Sequence, residues 1–430
     1  MRDVTPRISR SPNSVWQLGG MRALAAMTFF GCCSYAMLLP VAPLWAVHGG
    51  ASEAGAGLVN GVLLLFTVIT QLMVPSALQR FGWRPVLTVG MLLLGLPSLA
   101  YLLNDALGPV LVVSALRGVG FGIVTVTGSA AVAQIVPEER RGEGIGAYGL
   151  AIALPGIVLL PLGPWIAERS GFWVAFLISA LPVLGVPPAL RLARVIHGKA
   201  ADALHQMNEG LGAEVLEATG TAYVRLARPM VLLLAVTLCG GAVNTFTPQM
   251  VTGAVLTTFG LFVMGVVTAV TRWRVGAIAD RYGVEPFLWP LVVLTGLGMT
   301  LAAWAVHGSH TVAWEFLLAM VVVGLGYGTL QNLTLVMAFK VVSSGRRNLA
   351  SALWNVGFDA GTGFGSVIVG AVAGRWSFAI ALCVAAVLSV ATVPVALAGG
   401  RGNARSGGRG NARSTVGQAE HDTSMKRRWR

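Results

Sequence analysis

The chain has 430 residues, of which 55% are hydrophobic and 11% charged, with a formal net charge of +13. Soluble domains carry about 25% charged residues, so this composition excludes a soluble enzyme, a disordered chain and a disulfide scaffold. Glycine, at 55 residues, is about twice as frequent as its usual ~7%, a usage that suits closely packed membrane helices. A spanning helix takes ~20 apolar residues, so twelve would use roughly 240, close to the hydrophobic total. An all-α polytopic membrane protein remains.

Taken in chain order, the long apolar runs predict twelve spans. They cover 22–47, 52–77, 86–103, 107–135, 143–167, 172–195, 229–249, 252–271, 286–306, 312–339, 348–372 and 376–398. No strand-like alternation runs through them, so the spans read as a helical bundle. The first run is too long for the apolar core of a signal peptide and is taken as helix 1. The expected organisation is a tail (1–21), a six-helix bundle (22–195), a polar loop (196–228), a second bundle (229–398) and a basic tail (399–430). That last tail repeats itself, Arg401 to Arg405 matching Arg409 to Arg413, and ends Lys426-Arg427-Arg428-Trp429-Arg430. It has too little apolar surface to fold and is expected to be disordered beside anionic lipid headgroups.

Charge location sets the expected orientation. With both termini in the cytoplasm, 27 of the 30 Lys and Arg residues fall on the inner side, two outside (Arg169, Arg375) and one within a span (Arg117). This is the positive-inside distribution of an inner-membrane protein, so the net charge is a topology signal and no nucleic-acid partner is expected. Arg outnumbers Lys and Ala, Gly and Val abound, which points to a high-GC bacterium. The four cysteines (Cys32, Cys33, Cys239, Cys383) lie in apolar spans and read as small core fillers rather than metal ligands.

The chain also repeats internally. Gln79-Arg80-Phe81-Gly82 follows span 2, and Asp280-Arg281-Tyr282-Gly283 follows span 8, 201 residues later. Gly118, Gly120 and Gly122 in span 4 recur as Gly324, Gly326 and Gly328 in span 10, and Arg140-Arg141 as Arg346-Arg347, all displaced by 206. Several motifs at nearly one offset imply two six-helix halves in the same orientation.

Twelve spans in parallel halves, with a loop motif after spans 2 and 8, resemble the major facilitator superfamily over nearly the whole chain. Its loop motif, G-x-x-x-D-R-x-G-R-R, is matched by Gly276, Asp280, Arg281 and Gly283. The first copy keeps Arg80, Gly82 and Arg84 but has Pro75 for the glycine, Gln79 for the acid and Trp83 for an arginine. Glycine permits the tight turn, while an Asp–Arg pair can clamp a cytoplasmic gate; simple loop closure is the other reading. Three further elements resemble the drug and metabolite:proton antiporter branch. They are Pro40-Val41-Ala42-Pro43 in span 1, Arg117-Gly118 in span 4, and Pro155-Gly156 with Pro161-Leu162-Gly163-Pro164 in span 5.

Two ionisable residues fall clearly inside spans, Arg117 and Asp359. A centred charge costs ~2.5–3.5 kcal/mol on insertion scales, so each should face protein or water and have a partner. Arg117 reads as a holder of an anionic or polar solute group, as a modulator of a proton site, or as an interhelical strut. Asp359 suits a proton carrier, because low dielectric disfavours the charged form of a carboxyl group, or a contact between the two halves. Glu315 lies near an outer helix end, and no histidine falls clearly within a span, which disfavours a histidine relay. Tyr35, Asn60, Asn244, Gln249, Gln331, Asn332 and Asn355 are the candidate lining of a central cavity, although any of them can instead bridge helices.

No nucleotide fingerprint, catalytic dyad or metal-ligand set is present, so no enzyme activity, cofactor or metal is expected. The expected function is secondary transport: proton-coupled efflux, by antiport, of a small organic solute such as a drug or metabolite. A proton-coupled uptake symporter is the alternative, and a sensor or membrane enzyme on a transporter-like fold a remote third. The expected partners are the solute, protons and the bilayer, and the chain is expected to act as a monomer.

Overall fold

The computed structural model describes residues 14–137, 140–204, 219–308, 310–342 and 347–398. The tail repeat and residues 205–218 of the central loop lie outside these residues. Among the described residues every regular element is a helix. Twelve are long and apolar enough to cross a membrane. The first six are α1 (Met21–His48), α2 (Glu53–Phe81), α3 (Trp83–Leu103), α4 (Leu107–Ile135), α5 (Glu143–Ser170) and α6 (Phe172–His197). The second six are α7 (Val224–Met250), α8 (Ala254–Gly276), α9 (Glu285–Ala305), α10 (Ala313–Lys340), α11 (Ala350–Arg375) and α12 (Phe378–Leu397).

Several helices outrun their apolar stretches. The helix holding α6 continues to Leu204, and the one holding α7 begins at Thr219, so much of the 196–228 loop is helical. The helix holding α8 runs on to Tyr282, which puts Arg272 and Arg274 inside a helix rather than in the loop after it. Hydropathy marks only the stretch that needs lipid, whereas the backbone hydrogen-bond ladder continues until something stops it. Here the stop is glycine: Gly82 and Gly283 close α2 and the α8 helix at φ of 78° and 79°, a left-handed region that side chains disfavour. The start of α2 is fixed by Ser52, whose Oγ accepts from the Gly55 N–H, and that of α12 by Ser377 in the same way.

α1 to α6 pack mainly on one another, as do α7 to α12, giving two six-helix halves. The two halves repeat the same contacts in detail. Thr67 donates to the Gly118 carbonyl at 3.1 Å, and Thr268 to the Gly324 carbonyl at 3.4 Å. These pairs are related by the offsets of the sequence repeat. Gly118 and Gly122 lie directly against the α2 backbone, and Gly328 lies against the α8 backbone, so no Cβ fits there without displacing a helix.

The halves meet along α2 with α11, α5 with α8, and α1 with α7. For orientation, the Arg-rich end where α1 begins is called the basic end, and the opposite one the far end. From the far end inward, Gly57 abuts the Ser366 backbone, Gly61 the Val367 side chain, and Gly363 the Leu64 side chain. The outer face of α2 is exposed along its length, from Leu65 and Ile69 to Leu72, Met73 and Arg80. The named contacts between α2 and α11 run from the far end to Gln71 and Asp359, so a cleft between the halves opens toward the basic end. Gly118→Val should cost about 1–3 kcal/mol by forcing α4 off α2, read as a lower thermal midpoint in detergent. The control Gly146→Val, where a new Cβ meets nothing within 4 Å, should leave the midpoint unchanged.

Candidate functional site

Asp359 sits on α11, 4% exposed, at the boundary between the halves. Its Oδ2 accepts from Gln71 Nε2 on α2 at 2.6 Å, and the same amide donates to Thr125 Oγ1 on α4 at 3.2 Å. The Oε1 of Gln71 is buried without a partner. This one amide thus ties a carboxyl group of the second half to two helices of the first. Tyr35, half-buried on α1 and stacked on Phe121 at 4.1 Å, lies within electrostatic range of Asp359, as does Tyr327 on α10. Asp359 is at once an intramembrane acid and a contact across the halves.

Asn60 makes a second crossing nearer the far end. Fully buried on α2, it donates through Nδ2 to the Leu39 carbonyl at 2.7 Å and to Thr245 Oγ1 on α7 at 2.9 Å. Thr245 in turn shares a hydrogen bond of 2.8 Å with Ser366 Oγ on α11. Four helices from both halves therefore meet on one amide and two hydroxyls. Asn60 is a bridge at the closed end, not part of the open cleft.

Arg117 is placed differently from Asp359. It is wholly buried inside the first half, where NH2 donates to the Ser34 carbonyl at 3.1 Å and the guanidinium lies 5.9 Å from the Tyr101 ring. Tyr101 is held by Ser114 at 2.9 Å. Nε and NH1 have no hydrogen-bond partner, and no salt bridge reaches Arg117 among the described residues. Arg117 thus packs between α1, α3 and α4 with two donors unpaired, within electrostatic range of the same Tyr35 that neighbours Asp359.

The other candidates divide between local bonds and the cleft. Asn355 donates to the Ser351 carbonyl of its own helix, and Gln249 to the Thr245 carbonyl at 3.5 Å. Asn244 is almost buried on α7. Asn332 ties α10 to α8 through the Arg272 carbonyl at 2.7 Å. Gln331, 2% exposed, accepts at Oε1 from Arg272 NH1 at 3.3 Å. In the loop motif, Arg80 and Arg281 rest over the neighbouring Phe81 and Tyr282 rings at 5.3 and 5.2 Å. Gln79 and Arg84 are exposed, and Gly276 is helical with open space around its Cα. The side chain of Asp280 lies outside what is described.

Sequence reasoning missed Arg272, which it placed in the loop after span 8. The signal was available in the repeat, because Arg272 occupies the position of Gln71, 201 residues on. An apolar cavity of about 420 Å³ between the far-end parts of α5 and α8 is separate from all these groups; Ile157, Trp165, Phe259 and Phe262 are among its walls.

A polar seam between two repeated six-helix halves, open at one end, is the architecture that the loop motif suggested. A sequence profile described as the Major Facilitator Superfamily matches residues 24–314 and 252–419. The chain belongs to the Major Facilitator Superfamily. Its twelve membrane-crossing helices make it a multi-pass membrane protein of that superfamily. Among similar proteins, the inner membrane transport protein YajR of Escherichia coli is 24% identical over 175 residues, 40% of this chain and 37% of that one. A probable 4-methylmuconolactone transporter of Cupriavidus pinatubonensis is 26% identical over 164 residues, 37% of each chain. These alignments span well under half the length of the curated relatives. Solved structures agree in fold over far more of the chain. A D-xylose-proton symporter superposes with a TM-score of 0.67 at 15% identity, covering 88% of this chain and 96% of the other. A POT family transporter bound to a thioalcohol-conjugated peptide gives 0.68 at 13% identity, covering 88% and 95%.

Asn60→Leu should loosen the far end by removing the one Nδ2 bond that crosses the halves, to Thr245. One buried hydrogen bond at ~1 kcal/mol predicts a shift of about 5-fold toward opening. Amide hydrogen exchange in the far-end parts of α2 and α11 should speed up accordingly in that background.

Proposed function

We propose that this superfamily member is a proton-coupled efflux carrier that exchanges a small organic solute for protons by rocking its two halves. The basic end is the cytoplasmic face in this reading, with both termini inside and the cleft open to the cytoplasm, as the positive-inside distribution requires. The membrane is the inner membrane of a bacterium, in line with the bacterial relatives.

The observation that carries the proposal is the 2.6 Å bond between Asp359 and Gln71 across the two halves. An ionised carboxylate accepts the amide hydrogen in a charge-assisted bond, roughly twice as strong as a neutral one. Protonation removes that assistance. A protonated Asp359 could instead donate to Gln71 Oε1, which is buried and unpartnered. Proton occupancy thus changes how firmly α11 is held to α2, and any difference between the two states biases the rocking equilibrium. Exchange follows if the solute and the proton compete for the same open cleft.

A second reading, proton-coupled uptake, draws on the structural likeness to the D-xylose-proton symporter. The two predict opposite movements. Reconstituted protein with a proton gradient directed inward should drive solute out of the lumen under efflux and into it under uptake. In either case Asp359→Asn should abolish gradient-driven transport while leaving solute exchange at equilibrium measurable. Full gradient-driven transport by Asp359→Asn would remove Asp359 from the coupling step.

A further inference from the structure

The proposed carrier needs a solute, and the cleft contains a group that nothing above has used. Arg272 lies on α8 near the basic end, exposed in its own right, in the part of the molecule where the halves separate. Its guanidinium stands 5.8 Å from the ring of Trp354 on α11 and gives one hydrogen bond, to Gln331 Oε1. A guanidinium has five N–H donors, so the fork retains donors for another acceptor. No acidic residue forms a salt bridge with it among the described residues.

Gln331 adds a second unmet donor. Its side chain is 2% exposed, its Oε1 is taken by Arg272, and its buried Nε2 lies near the Tyr327 hydroxyl with no partner within 3.5 Å. A buried amide donor left unsatisfied is costly for a folded state to keep, and the exposed cation beside it has no acidic partner among the described residues. The fold does not require this arrangement. At the equivalent place in the first half, neutral Gln71 donates to Thr125 where Arg272 donates to Gln331. One architecture thus carries an amide at one repeat and a cation at the other.

We infer that Arg272 and Gln331 hold the carboxylate of an organic acid at the cytoplasmic mouth of the cleft. A planar fork with one positive charge matches a carboxylate in two parallel hydrogen bonds. Trp354, 6% exposed and stacked on Phe358 at 5.5 Å, and Tyr327, 8% exposed and 6.4 Å from the same ring, form a largely buried aromatic backing behind it. Such a backing suits a flat, unsaturated body attached to the acid group. The solute class is therefore an aromatic or unsaturated monocarboxylate. This deepens the transport reading and rests on it for its meaning, since the site would be the first contact of exported solute.

Benzoate tests it directly, with benzamide as the neutral isostere, by isothermal titration of the purified full-length protein in detergent. Benzoate should bind, and benzamide should bind at least ~10-fold more weakly. Arg272→Gln should weaken benzoate about 10- to 100-fold, while Arg272→Lys, which keeps the charge but loses the fork, should weaken it less. Equal affinity for the two probes, no benzoate binding by the unmodified protein at millimolar concentrations, or unchanged affinity in Arg272→Gln would each overturn the assignment. If Arg272→Gln does not fold, Arg272→Lys and the benzoate–benzamide comparison decide the matter. The titration uses no gradient, so its result stands apart from the coupling test on Asp359.

Discussion

The close approach of α2 to α11 is the contact on which the molecule turns. In lipid, helices gain little from hydrophobic burial against one another, because the surrounding tails are equally apolar. Association rests on packing and on polar groups that have no better partner. Here small residues let the two backbones nearly touch at Gly57 and Ser366, and two amides, Asn60 and Gln71, supply the polar ties. The seam is strong toward the far end and ends near Gln71. One joint of this kind holds two rigid halves together while leaving the other end free to separate.

Repetition builds the halves, and departures from repetition give them their chemistry. Thr67 and Thr268 make the same bond to equivalent carbonyls, so the scaffold has kept its geometry in both copies. The polar positions have diverged. Gln71 faces Asp359, whereas its counterpart Arg272 faces Gln331 and Trp354. The basic ends also differ. Arg228 forks onto Glu285 at 2.8 and 2.6 Å and reaches the Val395 and Ala396 carbonyls, pinning α7, α9 and α12 together. The matching positions of the first half hold Arg22 and Arg84, which cannot pair. There Arg22 bonds the Trp16 carbonyl, and the Val15 N–H bonds Glu143, so a short segment before α1 closes the bundle instead.

Burial separates the two intramembrane charges that composition treats alike. Arg117 is enclosed by α1, α3 and α4 within one half and serves that half's packing. Asp359 lies where the halves meet and is bonded across them to Gln71.

The twelve spans, the two parallel halves and the turn glycines Gly82 and Gly283 were all legible in the sequence. Lipid imposes a length and an apolarity that composition records directly, and a repeat preserves register over two hundred residues. Asp359 stood out for the same reason, since an acid in an apolar run is conspicuous. Its partner did not, because Gln71 is 288 residues away and only packing brings α2 against α11. Arg272 was invisible for the opposite reason: near the end of an apolar run, a cation looks like loop. The helix that continues to Tyr282 makes it an internal residue, and the fold aims it at Gln331. Sequence determined which residues cross the membrane. Tertiary structure decided which of their polar groups meet, because a side chain's partner depends on helix rotation and neighbour order, and hydropathy carries neither.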